Sequence, residues 1–152
     1  MLSAIKRMKN ECFVGAFQYF YNKKYGKYIP DKIVKDYFHF SENGISLKSV
    51  KTGLKLLGWK GKVYHAKESE IPENKLYIIM VKEKYGLHYI VIEKRKNSVV
   101  GFDPAKGMIK NYKLPEEVIL IDITKTKPFS WKNNFEFSSS KKELVGLMFL
   151  NI

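Results

Sequence analysis

Apolar and aromatic side chains recur at Phe13, Ala16, Phe17, Phe20 and Tyr21. The steps of three and four residues are those of one helix face, and they predict a helix over 12–25. Gly26 falls where its C-cap belongs. A shorter helix is expected over 30–38, opening at Pro30-Asp31. A third stripe, Leu47, Val50, Leu54 and Leu57, is stopped by Gly58. Ser46 stands where its hydroxyl would accept from an otherwise unpaired N–H at the start of that helix. The first 60 residues are therefore mostly helical.

The pattern then changes period. Residues 62–65, 76–81, 89–93, 98–102 and 118–123 form short runs rich in β-branched side chains. Glu-Lys, Tyr-Gly, Arg-Lys-Asn and Pro-Ala-Lys-Gly breaks separate them. Helices followed by strands give an α+β fold, a helical N-terminal half and then an antiparallel sheet. Residues 1–130 make one domain on this reading. Ser138-Ser139-Ser140-Lys141-Lys142 has linker composition, so 131–152 is expected to be a linker and an apolar C-terminal segment. The run 144–152 is far short of the ~20 residues that span a membrane. It fits a terminal element packing on the core, or the opening of a membrane segment beyond it.

Composition adds three constraints. An apolar content of 45% with ten Tyr and ten Phe supports a packed, ring-rich core and excludes a disordered chain. The net charge of +13 favours anionic partners. The lysines, however, are spread along the chain without zinc-finger spacing or an RNP-like run, so no nucleic acid is expected. The charge reads instead as a solvated lysine-rich surface or one suited to an acidic peptide. A single cysteine excludes an intrachain disulfide, and the first residues lack a signal-peptide pattern. These features point to a cytoplasmic domain.

Three residues can be assembled into chemistry. Cys12 opens the first predicted helix, where unpaired backbone N–H groups and the helix dipole favour a thiolate nucleophile. His88 lies near the start of a strand beside Gly86, placed to act as a general base in a cleft. Asp103 ends the next strand. If 87–93 and 98–103 form a hairpin, it lies near the same open end as His88 and can fix the imidazole tautomer. Taken singly, each has a plainer reading: a buried inert thiol, an edge histidine, an Asp-Pro turn. His39 and His65 have no better claim than His88 when each is taken alone. The joint arrangement is the stronger signal.

Asn10-Glu11-Cys12 with a helix running to Tyr25-Gly26 is one of three stretches that match a known pattern. The second is Gly44-Ile45-Ser46-Leu47 through Leu56-Leu57-Gly58-Trp59. The third is His88-Tyr89-Ile90-Val91-Ile92 followed by Asp103-Pro104-Ala105-Lys106-Gly107. Together they resemble the bacteriocin-processing, or double-glycine leader, cysteine peptidases, usually N-terminal domains of peptidase-containing ABC transporters. The resemblance spans about residues 5–125. It implies a papain-like fold, no cofactor and no metal, with Cys12 as nucleophile, His88 as base and Asp103 as its orienting acid. It further implies cleavage after a Gly-Gly pair in a precursor peptide. The implied partners are the transmembrane and ATP-binding domains of an exporter, and the implied place is the cytosolic face of the membrane. Two positions depart from the family pattern. Lys6 stands where a Gln normally helps Cys12 form the oxyanion hole, and Phe13 stands where Gly normally follows the nucleophile. The alternative is a peptidase-like domain that binds the transport substrate without cutting it.

Overall fold

The computed structural model describes residues 11–83 and 86–128. Lys6, the expected boundary at 130/131 and the apolar run 144–152 lie outside the described residues. Three helices come first: α1 (Cys12–Tyr25), α2 (Asp31–Tyr37) and α3 (Leu47–Leu56). Gly26 closes α1, its N–H donating to Asn22 O. Ser46 caps α3 as the sequence predicts, its hydroxyl oxygen accepting from Ser49 N–H at 3.1 Å.

Six strands follow: β1 (Lys60–Ala66), β2 (Leu76–Glu83), β3 (Gly86–Lys94), β4 (Val99–Asp103), β5 (Gly107–Ile109) and β6 (Val118–Lys125). A short 3-10 turn, Glu68–Glu70, sits between β1 and β2. Five strands lie where the β-branched runs predict them, four with longer ends and β4 shifted by one residue. The short β5 escapes the pattern, because Gly107–Ile109 is too brief to show a period of two. All pairings are antiparallel, in the order β1-β6-β2-β3-β4-β5. The last strand thus returns to separate β1 from β2.

Alternation along the strands divides the core into two layers. Ile78, Met80, Tyr89, Val91, Phe102, Ile121 and Ile123 pack with the helices. Tyr77, Ile79, Val81, Ile90, Ile92, Val99 and Leu120 form the second cluster on the other face, with Tyr112 and Leu114 against it. On the helical side α1 contributes Phe13, Phe17, Phe20 and Tyr21, all buried. Phe17 meets Phe38 and Trp59 with ring centroids 5.0 and 5.3 Å apart. Each such side chain contributes roughly 1.5–3 kcal/mol on leaving water, so this layer fixes where α1 begins against the sheet. No helix among the described residues is long and apolar enough to cross a membrane.

Candidate active site

Cys12 is the first residue of α1, and the preceding Glu11 makes no side-chain cap hydrogen bond to the helix. Glu11 turns instead to Lys35, with Oε2 2.8 Å from Nζ. The helix start therefore presents its positive end beside the thiol without a capping carboxylate. Cys12 is 6% exposed, and its Sγ accepts from the Tyr89 backbone N–H at 3.4 Å. One side chain of α1 is thereby tied to β3 at the residue next to His88.

The β3–β4 hairpin forms as the sequence predicts, with Val91 opposite Phe102. That register sets Ile90 across from Asp103, so His88 reaches Asp103 along the diagonal on the same face. His88 Nε2 lies 2.8 Å from Asp103 Oδ1, with both side chains nearly enclosed. The imidazole also lies close enough to the Cys12 thiol for the two side chains to influence each other. Cys12, His88 and Asp103 are thus brought to one place, with His88 bonded to Asp103 and Cys12 bonded to the backbone of the next residue, Tyr89.

Asp103 has a second partner. Its Oδ1 accepts from Ala105 N–H at 2.8 Å, while its carbonyl accepts from Lys106 N–H. The turn reading of Asp-Pro and the His-orienting reading are therefore compatible, since one carboxylate satisfies both. Burial alone would raise the Asp103 carboxyl, but the bonds from His88 and Ala105 outweigh it and hold the group below its ordinary value. Burial likewise pushes the His88 imidazole down. The hydrogen bond to Asp103, its carboxylate charge and the neighbouring Cys12 outweigh that effect and lift it to about 10. An imidazolium held against the Asp103 carboxylate is the form this geometry favours at neutral pH.

The other sequence candidates separate cleanly. His65 lies exposed on β1, 3.7 Å from Glu117, with β6 and β2 between its strand and β3. His39 is exposed beyond α2 at φ 52°. Gln18, which the sequence reading did not single out, is buried in α1 with its amide donating to Ile29 O at 2.9 Å and to Asp31 Oδ1. It joins α1 to α2 and does not face the site. Phe13 is 1% exposed and packs edge-on against Tyr89, with centroids 5.0 Å apart at 77°. The bulk after Cys12 goes into the core, so it does not narrow the approach to the thiol.

Three neighbours escaped the sequence reading. Tyr89 holds the loop before α3 through its hydroxyl, which donates to Ile45 O at 2.9 Å. Glu83, at the end of β2, brings a carboxylate oxygen to the pair, and the ligand atoms of Glu83, His88 and Asp103 lie within 4.8 Å of one another. Tyr112 lies close enough to Glu83 and Asp103 to feel both charges. Only the aromatic after His88 carried any local signal. The Glu83–His88–Asp103 set has the residue types of a cation site, but the His88 and Asp103 donors are already engaged with each other.

The model of the Peptidase C39 family matches residues 4–116. The chain belongs to the Peptidase C39 family. Two solved peptidase structures share its fold. One is the peptidase domain of Streptococcus ComA, a bifunctional ABC transporter of a quorum-sensing pathway. It matches with a TM-score of 0.61 at 14% identity over 79% of this chain and 97% of that domain. The other is a double-glycine-motif protease from an AMS/PCAT transporter in complex with its leader peptide. It matches with a TM-score of 0.60 at 17% identity over 79% of this chain and 89% of that one. No curated protein matches the chain. The C39 membership covers Cys12, His88 and Asp103, and the shared architecture is the papain-like α+β fold predicted from the sequence.

Proposed function

We propose that this C39 domain is a cysteine endopeptidase that removes leader peptides from precursor peptides by cutting after a Gly-Gly pair. The observation that carries the reading is the buried His88–Asp103 hydrogen bond set beside Cys12 at the start of α1. The Cys12 thiolate attacks the carbonyl carbon of the second glycine, and the carbonyl electrons move onto oxygen. The Cys12 backbone N–H and the Lys6 ammonium are the donors assigned to that oxyanion. As the tetrahedral species collapses, the C–N bond breaks and His88 gives its proton to the departing amine. A water molecule, deprotonated by His88, then attacks the thioester and releases the leader carboxylate and the thiolate. Asp103 keeps the imidazole oriented through both steps.

A Gly-Gly requirement fits subsites too narrow for a Cβ. The net charge of +13 suits an acidic, amphipathic leader. The biological setting that follows is peptide export, with this domain on the cytosolic face beside the membrane and ATP-binding parts of a transporter. A second reading draws on Lys6. With the Gln donor replaced, the domain would bind the leader without cutting it, since loss of one oxyanion donor costs ~10²–10³ in rate.

One experiment separates the two. Peptides carrying a Gly-Gly leader are incubated with the domain and with Cys12→Ala, and the products are weighed by mass spectrometry. Cleavage after the second glycine, abolished in Cys12→Ala, is the expected result. Leader binding of equal strength by both proteins, with no product from either, establishes the binding reading instead.

A further inference from the structure

We propose that Tyr112 is a positioning residue that covers the His88–Asp103 hydrogen bond and keeps water from it. The inference rests on reading His88 as the base and Asp103 as the group that orients it. Val99, Gly101 and Asp103 alternate onto one face of β4, and Val99 belongs to the cluster on the side away from the helices. Tyr112 packs against that same cluster, and its backbone N–H donates to Val99 O at 2.8 Å. A Cβ on Gly101 would lie 3.3 Å from Tyr112 Cβ and Cγ. The bare glycine is what lets the tyrosine lie flat along β4, from Val99 across Gly101 toward Asp103.

The far end of the ring completes the enclosure. The phenol lies close enough to the carboxylates of Glu83 and Asp103 to feel both charges. Burial, with those charges, pushes the phenol up to about 12, so it stays an O–H donor throughout the working range. Glu83 stands within 4.8 Å of the pair on the β2 side. His88 and Asp103 retain side-chain exposures of only 8% and 4%, although Gly86 and Leu87 beside them are exposed. A hydrogen bond shielded in this way is electrostatically stronger and less open to exchange with water.

The test combines a spectroscopic and a kinetic readout on the whole chain: wild type, Tyr112→Phe, Tyr112→Ala and Gly101→Ala. The low-field proton resonance of His88 Nε2–H, assigned by its loss in Asp103→Ala, reports solvent exchange directly. Tyr112→Phe keeps the cover and should leave exchange and kcat near wild type. Tyr112→Ala should speed exchange and lower kcat by ~10-fold or more, with KM little changed, because orientation and not substrate contact is lost. Gly101→Ala should shift both readouts in the same direction by displacing the ring, and it carries the test if Tyr112→Ala fails to fold. Unchanged exchange in folded Tyr112→Ala, or in Gly101→Ala where it stands in, overturns the proposal; so does a Tyr112→Phe defect as large as that of Ala. If the resonance behaves as stated while no variant, wild type included, cleaves peptide, the cover stands and the peptidase reading fails.

Discussion

Asp103 and His88 stabilise each other's charged forms, and the pH behaviour of the domain follows from that. The His88 value is raised from 6.5 to about 10, so its contribution to stability is complete below about pH 6.5 and is lost as pH rises through about 10. Asp103 is lowered from 3.8, so its share is present above that value and is lost as pH falls through the depressed one. Chemical denaturation against pH should therefore show a stability difference between wild type and His88→Ala that disappears in alkali. Under the proposed mechanism activity carries the same signature, because that mechanism makes the imidazolium the proton donor to the leaving amine. Asp103→Asn should lower kcat/KM by ~10² or more and move its alkaline limb toward the ordinary histidine range. An alkaline limb unmoved in Asp103→Asn would show that Asp103 does not set the charge of His88.

Cys12, His88 and Asp103 were legible because each sits at a boundary with a local signal. These are a helix start, a glycine-flanked strand start, and an Asp-Pro-Ala-Lys-Gly turn. Glu83 and Tyr112 were not legible, since what brings them to the pair is the β2–β3 register and the ring lying over Gly101. Neither leaves a periodic trace. The bulk of Phe13 was visible, but not its destination, which is set by Phe38 and Tyr89 from distant parts of the chain.

Elements rather than single residues hold Cys12 in place. Helix α1 is fixed by its ring layer, and the loop into α3 is fixed by the hydrogen bond from Tyr89 to Ile45. Tyr89→Phe leaves the ring on Phe13 but strands the buried Ile45 carbonyl. The expected cost is about 1–3 kcal/mol, measured as a lower denaturation midpoint. Helix α3 depends on a close approach at Gly53, where a Cβ would sit 2.2 Å from the Phe38 ring. Phe38 is fully buried and has no room to yield. Gly53→Ala should therefore destabilise by about 1–3 kcal/mol despite alanine's better helix propensity, and thermal melting decides it. The α3 stripe read correctly from sequence because one face meets one layer. Gly53 did not stand out, because a glycine required by a neighbour looks like any other helical glycine.

Over the whole molecule the change from helix to strand near residue 60 was visible, because the hydrophobic period changes there. The strand order was not. β6 enters between β1 and β2 by pairings distant in sequence, such as Lys60 with Lys125 and Ile78 with Ile121, and only tertiary packing selects them. The net charge of +13 also acts at this scale. If it draws an acidic leader to the surface, KM for a full leader should rise steeply between ~0.01 M and ~1 M salt, as the Debye length shrinks from ~30 Å to ~3 Å. A short neutral peptide spanning Gly-Gly should show no such rise, and equal salt responses would remove charge from the account of recognition.

The central claim is that the Cys12 thiol attacks a leader peptide with His88 and Asp103 behind it. Its most direct measurement is the intact mass of the domain after mixing with a Gly-Gly precursor and rapid acid quenching. The account predicts a transient species heavier by the leader acyl group, located on Cys12, decaying as free leader appears and absent in Cys12→Ala. Cleavage that persists in Cys12→Ala, or a folded wild-type domain that forms neither adduct nor product, would contradict it.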